Sequence, residues 1–255
     1  MKILTYGLMP IVLSLMCLFG SREASILKPQ ESQSASFSVP ILLYHSVSED
    51  GNDALKIAPS RFKEQLSYLK SQGFHPIHLK DLLAYWNGGR PLPSKPVIIT
   101  LDDGYEDNYT AAYPILLQTH TRATIFAVTG SIGTTGRLTW KQLREMEASG
   151  LVDTQSHTVT HPDLTKLSEK DKLAELGNSK DEILKHLGHQ AIALAYPYGF
   201  YDQHTIQAAQ KAGYLLALTV EGGFAKPEQG RFALHRILIT GDMTLDQFKS
   251  VVTPK

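Results

Sequence analysis

One cysteine, Cys17, occurs in 255 residues, and none from Pro40 onward. That excludes an internal disulfide framework and any cysteine-rich zinc or iron–sulfur site. An excess of one charge is also missing: Lys plus Arg and Asp plus Glu each number 25, for a formal net charge of zero. Proteins held to nucleic acid by bulk electrostatics carry a basic excess, so no nucleic-acid partner is expected. There is no internal repeat and no second composition zone. What is present, 42% hydrophobic and 20% charged residues, is the balance of an ordinary globular protein. The length suits one domain with a large core, or two small ones. The ten histidines are a mild surplus, and histidine is the commonest metal ligand and proton shuttle.

Lys2 precedes an uncharged stretch from Ile3 to Gly20, strongly apolar from Leu8 to Phe19, and Ser21-Arg22-Glu23-Ala24 follows. This predicts a secretory signal peptide or short N-terminal anchor over residues 1–24. The run is near the lower limit of about 17–20 residues for a spanning helix, and Pro10 interrupts it. Serines and glutamines over 25–38 predict a flexible linker, and residues 39–255 are assigned to the working domain. Either export reading places that domain outside the cytoplasm: secreted, periplasmic or at the cell surface, with membrane contact through the N-terminal segment only. Without residues 1–24 the chain loses Lys2, Arg22 and Glu23, two cations and one anion, and carries a formal charge of −1. No sign of oligomerisation is present, and a monomer is expected.

Strands and helices alternate along the rest. Apolar runs predict strands at 41–44, 97–101, 123–128, 151–155, 191–195, 214–220 and 234–239. Amphipathic spacing with caps and breakers predicts helices from 61 to 72, capped by Ser60, and at 79–86. Further helices are predicted at 109–119 (kinked by Pro114), 139–149, 164–187 (with Gly177 as a break), 203–212 and 244–251. This order predicts an α/β fold, a parallel sheet or barrel with helices outside, whose chemistry sits at the C-terminal ends of the strands.

The polar residues at those ends are informative. Val97 to Leu101 runs into Asp102-Asp103-Gly104. Two carboxylates at the end of a buried strand are costly unless a cation neutralises them. Adjacent residues point in different directions, so one can bind a metal while the other stays free as a base. Ordinary turn chemistry, with Gly104 supplying φ > 0, explains the pair equally well. Leu151 to Gln155 runs into Ser156-His157-Thr158-Val159-Thr160-His161-Pro162. Histidines four apart share one face of a helical turn and can share one metal ion, and Pro162 suits the start of the next helix. Asp103, His157 and His161 together offer one oxygen and two nitrogens, with positions left open for water and substrate. The first strand ends in Tyr44-His45-Ser46. Another ends in the tight turn Tyr196-Pro197-Tyr198-Gly199, whose N–H groups could face a substrate oxygen or simply form a rigid turn. The last strand holds Leu234-His235-Arg236. Trp140 is expected in the core.

Thr100-Leu101-Asp102-Asp103-Gly104 resembles the T-F-D-D-G motif of the polysaccharide deacetylases (the NodB homology domain, carbohydrate esterase family 4). Ser156 to His161 resembles their H-S/T-x-x-H motif, and Tyr196 to Gly199 their third motif. The resemblance spans about Pro40 to Thr240. It implies a distorted (β/α) barrel with about seven parallel strands. It further implies Asp103, His157 and His161 as ligands of one divalent metal ion, zinc first, with cobalt, nickel or manganese able to take the same set. Asp102 would be the general base and a water on the metal the nucleophile. Tyr198, flanked by Pro197 and Tyr196, would bind substrate and the oxyanion. Many members carry an arginine against the catalytic aspartate, two residues before the proline of the third motif. Here that position is Ala195, which leaves open what tunes Asp102. The early Tyr44-His45-Ser46-Val47 and the Tyr196-Pro197-Tyr198-Gly199 turn are similar to the poly-β-1,6-N-acetylglucosamine deacetylase subgroup. His45 is accordingly the expected general acid and His235 the reserve. The implied activity is removal of acetyl groups from N-acetylglucosamine residues of an extracellular or cell-wall polysaccharide. The alternatives are an O-acetyl glycan (acetyl xylan) esterase, a peptidoglycan deacetylase, or a non-catalytic glycan-binding protein.

Overall fold

Strand alternation closes seven parallel strands into a barrel. The computed structural model describes residues 38–49 and 53–253. The expected signal or anchor segment, 1–24, and residues 25–37 of the expected linker lie outside the described residues. In chain order the strands are β1 (Ile41–Tyr44), β2 (Ser46–Val47), β3 (Lys56–Ile57), β4 (His75–Pro76), β5 (Pro96–Asp102), β6 (Ala123–Ala127), β7 (Val152–Ser156), β8 (Ala193–Ala195), β9 (Leu216–Gly222) and β10 (Leu234–Leu238). The helices are α1 (Pro59–Ser71), α2 (Leu79–Trp86), α3 (Tyr113–Thr119), α4 (Trp140–Ala148), α5 (Glu169–Leu187), α6 (Gln203–Lys211) and α7 (Leu245–Val252). The sheet runs β1-β10-β9-β8-β7-β6-β5-β4, and β1 also pairs with β5, which closes the ring and leaves β4 as a flap on β5. All these pairings are parallel. β2 and β3 form a separate parallel pair. The seven strands predicted from apolar runs are the seven of the ring.

Side chains alternate between the inside of the ring and the helices around it. Ile41, Ile98, Phe126, Ala193, Ala195, Leu218 and Leu234 share the inner core. Leu42, Val97, Ile99, Leu101, Ile125 and Val152 pack outward with Phe62 and Leu66 of α1, Leu143 and Met146 of α4 and Phe248 of α7. Trp140 stacks on His186 with ring centres 4.5 Å apart and packs against the outer core, as expected.

Among the predicted boundaries that move, three do so for a clear local reason. Helix α1 begins at Pro59 with Ala58 as its N-cap instead of Ser60. Proline is pre-set for the first helical turn and has no N–H to satisfy there. The predicted helix 109–119 is divided: a π-helical turn, Asn108–Ala112, precedes α3. Pro114 cannot donate back to the preceding turn, and the widened turn accommodates it. The predicted helix 164–187 also divides, not at Gly177 but at Ser168, whose hydroxyl caps the N–H of Asp171 at 3.2 Å. Helix α5 then runs unbroken through Gly177, carried by the buried Leu176 and Ile183 on either side.

Candidate active site

Alternation along β5 decides where its two aspartates go. Ile98 faces the inside of the barrel, so Thr100 and Asp102, two and four residues on, face inside as well. Asp102 is buried at 2% exposure. Asp103 lies just past the strand with φ 72°. This left-handed turn leaves Oδ1 of Asp103 3.5 Å from Nε2 of His157, and Arg137 Nη1 donates to the Asp103 carbonyl at 3.0 Å.

His157 follows the last residue of β7 and is buried. Its Nδ1 lies 2.8 Å from the carbonyl of Ala195. A carbonyl can only accept, so Nδ1 carries the proton and Nε2 keeps a free lone pair. Nε2 of His157 lies 3.5 Å and Nε2 of His161 3.6 Å from the same oxygen, Oδ1 of Asp103. The two Nε2 atoms are 3.1 Å apart, a separation that needs a proton or a cation between them. Donors on one tetrahedral ion with bonds of about 2.1 Å stand about 3.4 Å apart, so this triangle fits a divalent cation. The histidines do not meet through a helical turn, as their spacing predicts. They meet through a loop in which Thr158 (φ 67°) and His161 (φ 60°) are both left-handed. Nor does Pro162 open a helix: a short 3-10 turn, Leu164–Lys166, comes first and α5 starts later.

Arg236 is the residue that sequence reading misses. It sits on the inner face of β10, in step with Leu234, and is fully buried. Its Nη1 and Nη2 donate to Oδ1 and Oδ2 of Asp102, both at 2.8 Å, and its Nε donates to the carbonyl of Thr219 at 2.9 Å. Burial alone would raise the Asp102 pKa; Arg236, with His157 and His45, more than offsets this and holds the carboxyl below the ordinary aspartate range. Asp102 is therefore an anion at neutral pH, with Oδ2 3.8 Å from Nε2 of His157. Ala195 faces the same interior, so β10 supplies the arginine that β8 does not. The available signal was an arginine inside a strand whose other residues, His235 apart, are apolar, since a buried guanidinium requires a partner.

The two candidate acids separate. His45, just beyond β1, is half-buried, its Nδ1 has no hydrogen-bond partner among the described residues, and the charges of Asp102, Asp103, Arg236 and His157 all act on it. Burial lowers its pKa against the pull of both aspartates. His235 alternates with Arg236 and so leaves the barrel interior, pairing with Glu221 at 3.1 Å. In the third motif, Tyr198 is 55% exposed and its ring meets that of His161 edge-on, centres 4.6 Å apart. The ring of Tyr196 is instead buried in the core, stacked on Tyr201, with its hydroxyl on the carbonyl of Phe232. Pro197 is buried in the turn. Tyr198 and Gly199 are both left-handed, and a Cβ on Gly199 would lie 2.7 Å from the Val220 nitrogen, so only glycine lets this turn sit against β9.

The family pattern described as Polysaccharide deacetylase matches residues 89–217. The Bacillus subtilis (strain 168) protein YxkH is 35% identical over 214 residues, 84% of this chain and 76% of that protein. A poly-β-1,6-N-acetyl-D-glucosamine N-deacetylase of Staphylococcus aureus (strain MRSA252) is 30% identical over 199 residues, 73% of this chain and 68% of that enzyme. The structure of the Streptococcus pyogenes deacetylase PplD in complex with acetate superposes with a TM-score of 0.81 at 33% identity, covering 86% of this chain and 100% of that one. Fold, family pattern and relatives agree: the chain belongs to the polysaccharide deacetylase family.

Proposed function

We propose that this protein is an exported, metal-dependent hydrolase that removes acetyl groups from N-acetylglucosamine residues of an extracellular or cell-wall polysaccharide. The observation that carries this reading is the convergence of Asp103, His157 and His161 on one point, beside an Asp102 kept anionic by Arg236. A divalent cation held by those three residues, zinc first, supplies Lewis acidity at the acetyl carbonyl and makes water nucleophilic. Asp102 takes the proton from the attacking water. The N–H of Tyr198, presented by its left-handed turn, donates to the oxygen on which negative charge develops. His45 gives a proton to the departing nitrogen as the C–N bond breaks, leaving acetate and a free amine. The lowered pKa of its ring makes the imidazolium a stronger acid toward that nitrogen. The name of the Staphylococcus aureus relative supports a β-1,6-linked polymer. A near-neutral domain suits a neutral sugar chain, and the segment 1–24 supports export.

The full chain incubated with acetylated glycans is expected to release acetate from β-1,6-linked N-acetylglucosamine oligomers. A chelator should suppress that release at least about a hundredfold and added zinc should restore it. Acetate from acetyl xylan alone would favour the O-acetyl esterase reading, and acetate from peptidoglycan alone the peptidoglycan reading. No acetate from any glycan would sink the enzyme reading.

His45→Ala is expected to lower kcat by about 10²–10⁴ with bound metal unchanged. His235→Ala, which removes only the Glu221 partner on the outer side of β10, should stay within about twofold, the scale of an exposed pair. A His45 variant with full turnover and metal in place would show that the acid lies elsewhere.

A further inference from the structure

The loop that carries both histidines is held from its far side by helix α5. Glu175 spends its whole carboxylate on this loop: Oε2 accepts the N–H groups of Val159 and Thr160, both at 2.9 Å, and Oε1 accepts the hydroxyl of Thr160 at 2.7 Å. Among the described residues Glu175 makes no ion pair, so nothing else occupies these oxygens. One helical turn on, the hydroxyl of Ser179 lies 2.8 Å from that of Ser156, and Ser156 Oγ in turn accepts the N–H of Thr158 at 3.2 Å. On the opposite side the carbonyls of Thr158 and Val159 accept the N–H groups of Thr129 and Gly130 at 3.0 and 2.9 Å. That approach is close: a Cβ on Gly130 would stand 2.7 Å from the Val159 oxygen.

The loop needs such support. Thr158 and His161 are both left-handed, a conformation that costs a non-glycine residue of order 1–2 kcal/mol. In a free peptide the two imidazoles would swing apart. Here the N–H groups of Val159 and Thr160 are bound to α5, that of Thr158 to Ser156, and the carbonyls of Thr158 and Val159 to the segment after β6. Charge-assisted bonds to a carboxylate are stronger than those between neutral groups, and one carboxylate makes three of them.

We propose that Glu175 is a positioning residue that preforms the two-histidine loop for metal capture. This rests on the reading that Asp103, His157 and His161 hold a divalent cation. Glu175 touches neither substrate nor cation. It acts through the backbone of Val159 and Thr160, and its effect belongs in metal affinity first and turnover second.

The test is zinc affinity of the full chain, measured by competition with a chromophoric chelator. Glu175→Ala is expected to raise the zinc Kd by about 10–100-fold, the usual effect of removing an outer support of a metal ligand. Glu175→Gln should stay within about threefold, because its amide oxygen can accept both N–H groups and its NH₂ can donate to the Thr160 hydroxyl. The absorption spectrum of the cobalt-substituted protein should change in the alanine variant and not in the glutamine variant. Val252→Ala, in the core on α7 and away from the loop, serves as a destabilised control and should keep parental zinc affinity. Should Glu175→Ala fail to fold, Glu175→Asp, which keeps the charge but draws the oxygens back by one methylene, carries the same expectation. Parental zinc affinity in the alanine variant overturns the proposal, as does an equal loss in Val252→Ala. A parent chain that binds no zinc overturns the metal reading and this proposal with it. A parent that binds zinc, beside an alanine variant that binds it equally well, overturns this proposal alone.

Discussion

Arg236→Met is expected to cost about 3–5 kcal/mol of folding stability, the scale for breaking a buried ion pair by removing one partner. The guanidinium is fully buried and makes both bonds of a two-pronged pair with Asp102. Methionine fills much of the volume but leaves the carboxylate without a counter-charge. The pH dependence follows from the direction of the Asp102 shift. In the parent the carboxyl is held below its ordinary value, so it binds fewer protons folded than unfolded. Its contribution to stability is present in full above the unfolded pKa of about 3.9 and is lost as pH falls through the lower folded value. In the variant, burial no longer meets the opposing guanidinium, and the Asp102 pKa moves up. The acid limb of the rate profile should then move to higher pH, because a protonated Asp102 cannot serve as base. Urea unfolding near neutral pH and kcat/KM against pH measure both effects. Unchanged stability together with an unchanged acid limb would contradict the assignment. Arg236→Met combined with Asp102→Leu should recover much of the lost stability, since an apolar pair in place of a buried ion pair is often neutral or better. The double variant should stay inactive.

His161→Ala and Asp102→Asn are both expected to lose nearly all turnover, for different reasons. His161 is partly exposed, with 24% of its side chain accessible, and its removal leaves the barrel interior intact. It deletes one of three donors, so the chain should lose zinc and with it several kcal/mol of transition-state stabilisation, about 10³-fold or more in rate. Asp102→Asn keeps all three donors and removes the base. Zinc content should be close to parental while kcat falls by about 10²–10⁴. The asparagine variant should also be less stable, because Arg236 keeps its charge and loses its anionic partner. Metal content beside kcat for the pair separates holding the cation from moving the proton. A His161 variant with full zinc and full turnover would remove His161 from the site, and an Asp102 variant with parental kcat would remove the base.

Much of the candidate site is legible along the chain because its parts are local. Asp102 and Asp103 are consecutive, His157 and His161 lie four apart, and each group follows a run apolar enough to be read as a strand. Their meeting follows from the rule that parallel α/β strands gather their C-terminal ends on one face. The geometry of that meeting is less local. Spacing of four suggests a helical turn, yet the loop uses two left-handed residues, because the carbonyls of Thr158 and Val159 and the N–H groups of Val159 and Thr160 are already committed to the segment after β6 and to α5. The preference for His45 over His235 rests on the early Tyr44-His45-Ser46-Val47 motif; that His235 leaves the barrel interior depends on which side of β10 each neighbour faces, and apolar patterning does not resolve that for one polar pair.

The seven-strand α/β architecture, the donor types at the strand ends and the family motifs can all be read from the order of residues. Alternation, capping and breakers act over a few positions and leave their mark there. What holds Asp102 anionic cannot be read that way. Arg236 lies 134 residues from Asp102, and the two meet only because β1 pairs with both β5 and β10 and so closes the ring. The same holds for Glu175, 15 residues from Thr160 along the chain and beneath its loop only once α5 has packed against the barrel. A buried charge is tolerated where the fold supplies its partner, and that partner is chosen by closure of the sheet, over a distance that local sequence does not encode.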